Sequence, residues 1–308
     1  FGRKMEMLAQ TTNISKVALD GSFTNSSSNC TIDGFKQVIY PIVYLFISFL
    51  GAVGNGLSIH VFFQNSQRTS VNIYMENLAI SDLMFVSTLP FRATSFLLGS
   101  RWICGDIVCR TMTYSLYMNM YCSIYFLTVL SVIHFIAIIH PFKCGKVTNM
   151  KCARTTCMAT WIFVLAAASP LLHKGVAGYS NSVKCLDLHP SSTHRLLMMN
   201  CFVLIVGFIP PFCTIVCCYV FAIRALLKSR ALQSKKAMLT IIISLILSLI
   251  CFPPYHILRT IHLMYSSCSQ ANLHQALAAT LCLAAMSSCL DPILYYFAAE
   301  NFKAKIRS

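Results

Sequence analysis

Ionisable side chains are costly inside apolar segments, and this chain carries several there. Asp82 and Glu76 fall in the largely apolar stretch 72–98, and Asp291 falls in 273–299. Asn55, Ser123 and Ser287 add amide and hydroxyl oxygens within further apolar stretches. Two carboxylates with such neighbours can build a hydrated polar pocket, either a cation site or a plain hydrogen-bond network. Arg92 and Arg259 stand near the ends of two apolar stretches, with Lys36 and His274 at the mouths of two others. Arg grips a carboxylate through two parallel hydrogen bonds, but it also snorkels readily to a polar boundary. Arg259 lies one turn beyond Tyr255 on the same helix face. Tyr114, Tyr117, Tyr121 and Tyr125 recur at helical spacing. A tyrosine stripe of this kind more often packs helices than lines a ligand, although it offers hydroxyls on apolar bodies.

Catalytic chemistry has no comparable support. The sequence contains no Gly-x-Ser-x-Gly, no His-Glu-x-x-His and no phosphate loop, so an enzyme is not expected. Sixteen cysteines include no Cys-x-x-Cys pair, which argues against zinc. Most lie within apolar stretches, where Cys acts as a small packing residue. Cys144 and Cys152 fall in loops expected to face the reducing cytoplasm. Cys30, Cys104, Cys109, Cys185 and Cys268 fall in the opposite set, an odd number that leaves one thiol over. No cofactor is expected from these residues.

These residues need elements to position them. Of 308 residues, 56% are hydrophobic and 11% charged, too little polarity to cover a soluble domain. Uncharged runs cover 37–67, 111–142, 155–173, 196–223 and 237–258. Each is near or above the length of about 20 residues that a spanning helix needs. With the acid-bearing stretches 72–98 and 273–299 they make seven candidate helices. Strand patterns of about ten residues with alternating polarity are absent, which argues against a barrel. The chain is thus expected to be an all-α membrane protein, a seven-transmembrane helix bundle over 38–299. An extracellular segment over 1–37 precedes it and a cytoplasmic stub over 300–308 follows, with Phe302 and Ile306 on one face of a short amphipathic helix.

The net charge of +15 fits this placement better than nucleic acid, since no basic segment is interleaved with exposed aromatics. Lys143, Lys146, Lys151, Arg154, Arg224, Lys228, Arg230, Lys235 and Lys236 crowd short loops, which puts those loops in the cytoplasm and beside membrane lipids. Asn13, Asn25 and Asn29 begin glycosylation sequons, consistent with an extracellular N-terminus. Residues 1–10 lack the apolar core of a leader, so the first helix is expected to act as its own insertion signal.

Certain residues fall in a recognisable order. Gly54-Asn55-Gly56 lies in the first helix and Asn77-Leu78-Ala79-Ile80-Ser81-Asp82 in the second. Trp102 precedes Cys109 at the third. Trp161 lies in the fourth, Pro211 and Tyr219 in the fifth, Cys251-Phe252-Pro253-Pro254-Tyr255 in the sixth, and Asp291-Pro292-Ile293-Leu294-Tyr295 in the seventh. Along its whole length the chain resembles the rhodopsin-like G-protein-coupled receptors. In 113–130, 254–263 and 294–303 it resembles the cysteinyl leukotriene receptors most, with nucleotide and peptide receptors of the same branch as alternatives.

The resemblance implies a plasma-membrane receptor with several functional groups of residues. Lys36, Arg92, Tyr117, Tyr121, Tyr255, Arg259 and His274 would bind an anionic amphipathic lipid such as a cysteinyl leukotriene. Asn55, Asp82, Ser123, Ser287 and Asp291 would hold sodium. Disulfides would pair Cys109 with Cys185 and Cys30 with Cys268, leaving Cys104. His134, Tyr219, Phe252, Pro254 and Tyr295 would carry activation to a heterotrimeric G protein of the Gq type.

Several residues depart from the family pattern. His134 in Ile133-His134-Phe135 stands where relatives carry Arg, and His cannot reproduce a permanent guanidinium. Glu76 is an acid where relatives are apolar, Ser248 replaces a core Phe, Pro253 doubles the kinking proline, and the loop 229–234 is short. Nearly all lie on the transmission route, so binding is expected to be better preserved than coupling. The competing readings are a same-fold binding protein that couples poorly, or a transporter. The repeat symmetry typical of transporters is missing.

Overall fold

A computed structural model describes residues 26–64, 69–98, 102, 104–142, 145, 149–172, 193–228, 232–264 and 271–298. Among these, every regular element is helical. The first span is α1 (Ser26–Gln64) and the second combines α2 (Ser70–Val86) with α3 (Leu89–Leu97). The third is α4 (Gly105–Ile139), and the fourth is α5 (Met150–Ala168), extended by a 3-10 turn over Ser169–Leu172. The fifth runs through α6 (Thr193–Phe202), a π-helical turn (Val203–Phe208) and α7 (Ile209–Lys228). The sixth joins α8 (Leu232–Cys251) to α9 (Pro253–Met264), and the seventh is α10 (Ala271–Ala298).

Six of the seven are long and apolar enough to cross a membrane unaided. The second is the exception, because it is interrupted at Ser87 and Thr88 and carries Glu76 and Asp82. Pro90 supplies no N–H to the turn before it. The Ser87 and Thr88 hydroxyls bond back to the carbonyls of Met84 and Phe85, at 2.7 Å each. The sixth span breaks for the same reason at Phe252, before Pro253 and Pro254. The first helix begins at Ser26, within the segment that the sequence reads as a polar lead.

The spans close on a long shared core in which Phe126 meets Trp161 edge to face, and the Trp161 Nε1 donates to Asn77 Oδ1 at 2.9 Å. Gly54 allows the first span to approach the seventh, since a Cβ there would stand 2.8 Å from Pro292 Cγ. Large apolar side chains such as Phe46, Phe49, Leu57 and Phe63 remain exposed on the outside of the first span, as lipid contact requires. The stub 300–308, the sequons at Asn13 and Asn25, and Cys30, Cys185 and Cys268 lie outside the described residues or side chains. So do the side chains of Asn29, Lys36 and His274.

Candidate functional site

An apolar cleft lies between the third, fourth, fifth and sixth spans, with about 800 Å³ of open space including its mouth. The tyrosine stripe of the third span divides there. Tyr114 donates to the Leu165 carbonyl of the fourth span at 3.1 Å, and Tyr125 to the Val206 carbonyl of the fifth, also at 3.1 Å. Tyr117 and Tyr121 face the cleft, Tyr125 lines it as well, and the Tyr117 and Tyr255 hydroxyls share a hydrogen bond of 2.7 Å there. Arg259 lines the same cleft, with Tyr117, Tyr255 and Tyr121 as its electrostatic neighbours. No carboxylate among the described residues forms an ion pair with it. The wall is otherwise dominated by apolar groups, including Val164, Met199 and Val203. Phe163, Phe202 and Val206 line the cleft and are also exposed on the outer face of the bundle. The cleft therefore reaches the lipid side between the fourth and fifth spans.

Arg92 takes no part in this arrangement. Its Cζ lies 5.6 Å from the Tyr44 ring centroid, and Tyr44 is buried with Phe96 beside it. The two arginines thus occupy different sectors: Arg92 packs between the first and second spans, and Arg259 stands over the cleft. Sequence reasoning also passed over His256. Its ring stacks on Phe208 at 4.0 Å, and its Nε2 is buried without a hydrogen-bond partner at the cleft wall. Its signal was available, as it is a polar residue following Tyr255 directly.

Deeper in the bundle lies a polar cluster. Asp82 and Asp291 are almost fully buried and are electrostatic neighbours. Asn119 Nδ2 donates to Asp82 Oδ1 at 2.8 Å, and Ser288 Oγ donates to Asn119 Oδ1 at 3.2 Å. Asn55 Nδ2 reaches the Ser288 carbonyl at 2.7 Å. Asp82 Oδ2, Asp291 Oδ2, Asn55 Oδ1 and Ser123 Oγ are buried oxygens without hydrogen-bond partners. Ser287 Oγ donates to Ala284 O in its own helix at 2.8 Å. Asn119 and Ser288 are the members that the sequence reading lacked, although Asn119 interrupts an apolar run one turn before Ser123.

Toward the opposite end of the bundle a smaller cavity is lined by His134, Tyr219, Ser244 and Tyr295. The His134 ring stacks on Tyr219 at 6.3 Å, and its Nδ1 is buried without a hydrogen-bond partner. Phe252 is buried at the break of the sixth span, one residue before Pro253 and Pro254. Ser248 is fully buried and donates to Ser244 O at 2.8 Å, so its hydroxyl is absorbed by the helix backbone. Glu76 lies beside Cys157 of the fourth span. At the other end of the third span Cys109 is disulfide-bonded and packs with Trp102 and Met112, whereas Cys104 is a free thiol.

A bundle of seven spans with an apolar cleft at one end, a buried carboxylate pair in the middle and a tyrosine-lined cavity at the other end describes a membrane receptor. The sequence profile of the 7 transmembrane receptor (rhodopsin family) matches residues 54–295, and the chain belongs to that family. Among its relatives, cysteinyl leukotriene receptor 2 of Mus musculus is 50% identical over 293 residues, covering 92% of this chain and 94% of the mouse protein. Cysteinyl leukotriene receptor 2 of Homo sapiens is 48% identical over 317 residues, covering 99% of this chain and 91% of the human one. Cysteinyl leukotriene receptor 1 of Homo sapiens is 37% identical over 302 residues, covering 93% and 90%.

Proposed function

We propose that this chain is a plasma-membrane receptor, N-terminus outside, for an anionic amphipathic lipid of the cysteinyl leukotriene class. The observation that carries this reading is Arg259: a guanidinium with no ion-pair partner among the described residues, at an apolar cleft reaching the lipid side. The guanidinium takes a ligand carboxylate in a bidentate pair, and the Tyr117 and Tyr255 hydroxyls add hydrogen bonds. The apolar wall beneath, with Tyr121, takes the acyl chain. Lys36 would add positive charge and His274 a hydrogen-bonding imidazole at the rim, whereas Arg92, held over Tyr44, serves packing of the first two spans. The names of the relatives support the leukotriene assignment.

Tyr255 and Arg259 stand on α9, immediately after the proline break. A ligand that binds them more tightly in one setting of α9 shifts the bundle toward that setting. Phe252, Pro254, Tyr219 and Tyr295 would carry the shift to a heterotrimeric G protein of the Gq type at the cytoplasmic face. The unpartnered oxygens of Asp82, Asp291, Asn55 and Ser123 suit a hard cation, and sodium would neutralise part of the buried carboxylate charge. The disulfide of Cys109 is assigned to Cys185, and a second bridge to Cys30 and Cys268.

A second reading keeps the ligand and loses the output. It is favoured by His134, whose Nδ1 is buried against Tyr219 without a partner. Agonist-stimulated nucleotide exchange, with cysteinyl leukotriene as agonist and purified Gq-type protein as reporter, separates the two. Saturable exchange supports the receptor. Binding without exchange supports the poorly coupling paralogue.

A further inference from the structure

The fifth span carries two consecutive prolines, and no helical pattern repairs what they remove. The Val206 carbonyl would accept from the N–H of residue 210 in an α-helix or residue 211 in a π-helix, and both are proline. The next candidate, the Ile209 N–H, already bonds to Leu204 O. Val206 O is therefore orphaned within its own helix, in an apolar membrane-spanning segment where an unpaired carbonyl is costly. Tyr125 Oη of the third span donates to that oxygen at 3.1 Å.

The turn held in this way shapes the cleft. Gly207 presents bare backbone to Tyr121: a Cβ there would stand 3.3 Å from the ring Cε1. Phe208 stacks on His256 of the sixth span at 4.0 Å. Just before the turn, Asn200 Nδ2 donates to Thr260 Oγ1 at 3.0 Å. We propose that Tyr125 is a positioning residue for this cleft. Its hydroxyl supplies the hydrogen bond that Pro210 and Pro211 withhold from Val206, and so fixes the π-helical turn against which Tyr121 and His256 are set. Its ring packs edge to face on Phe163 at 5.5 Å, so ring and hydroxyl can be separated by mutation. What this says of affinity rests on the cleft being the ligand site; what it says of the turn does not.

The test is amide hydrogen exchange over residues 203–209 of the ligand-free full chain. Tyr125→Phe should accelerate exchange there by about fivefold, the loss of one net hydrogen bond. Tyr114→Phe, which removes a hydroxyl bonded to the fourth span, should leave it unchanged. Pro210→Ala returns an N–H to Val206, so Tyr125→Phe added to it should change exchange by less than about twofold. No acceleration by Tyr125→Phe, equal acceleration by Tyr114→Phe, or the same acceleration in the Pro210→Ala background overturns the proposal. Should Pro210→Ala fail to express, the two tyrosine variants decide alone. Binding of tritiated cysteinyl leukotriene should weaken about three- to tenfold in Tyr125→Phe. A loosened turn with unchanged affinity overturns the positioning role. A parent that binds no leukotriene defeats the ligand reading, and the exchange comparison still decides the role of the hydroxyl.

Discussion

His134 concentrates the tension in this molecule at the level of single residues. It offers one donor and one acceptor where an Arg would offer five donors, and it spends its ring on Tyr219. His134→Arg should raise maximal agonist-stimulated nucleotide exchange severalfold at matched surface expression. Ligand affinity should hardly change, because the cleft is at the opposite end of the bundle. An unimproved response would show that the route tolerates His. Arg92→Ala should leave ligand affinity within about twofold of the parent, since its guanidinium packs on Tyr44 and does not line the cleft; competition binding measures this. The sequence identified both arginines as cations near helix ends, and spacing put Arg259 one turn above Tyr255. It could not reveal that Arg92 turns to Tyr44, because that depends on how the first span packs against α3. Likewise Asn119 was visible as a polar residue, but its bond to Asp82 requires the angle between two helices.

Among the elements, the broken spans do the shaping. Uncharged runs marked the spans well, since lipid imposes composition directly on sequence. Where each span breaks was legible only in part: Pro253 marked the sixth, whereas the π-helical turn of the fifth depends on a hydroxyl supplied from the third. The early start of the first helix at Ser26 was missed because polar residues at a helix end carry no hydropathy signal. The top of the third span is tied by Cys109 and packed by Trp102, whose Nε1 donates to Gly105 O at 2.6 Å. Loss of a native bridge costs about 2–5 kcal/mol in small secreted domains. Cys109→Ser should accordingly abolish surface staining, while Cys104→Ser, which removes a free thiol, should leave it intact. Normal surface levels for Cys109→Ser would show that the third span holds its place without the bridge.

At the scale of the whole molecule, three polar centres are spaced along one apolar bundle: Arg259 over the cleft, the Asp82–Asp291 pair in the middle, and His134 with Tyr219 at the far end. The middle centre gives a measurement free of ligand. Sodium replacing potassium at constant ionic strength should raise the melting temperature of the detergent-solubilised chain, and Asp82→Asn should remove that difference. Equal melting in the two salts would mean a hydrogen-bond network alone. The central claim is that Arg259 anchors an anionic lipid in the cleft, and saturation binding of tritiated cysteinyl leukotriene to membranes carrying the parent or Arg259→Ala tests it most directly. The parent should bind saturably, and Arg259→Ala should lose about 1.5–3 kcal/mol, the value of a charged hydrogen bond, with Arg259→Lys recovering only part. Equal affinity in all three would contradict the assignment of the cleft.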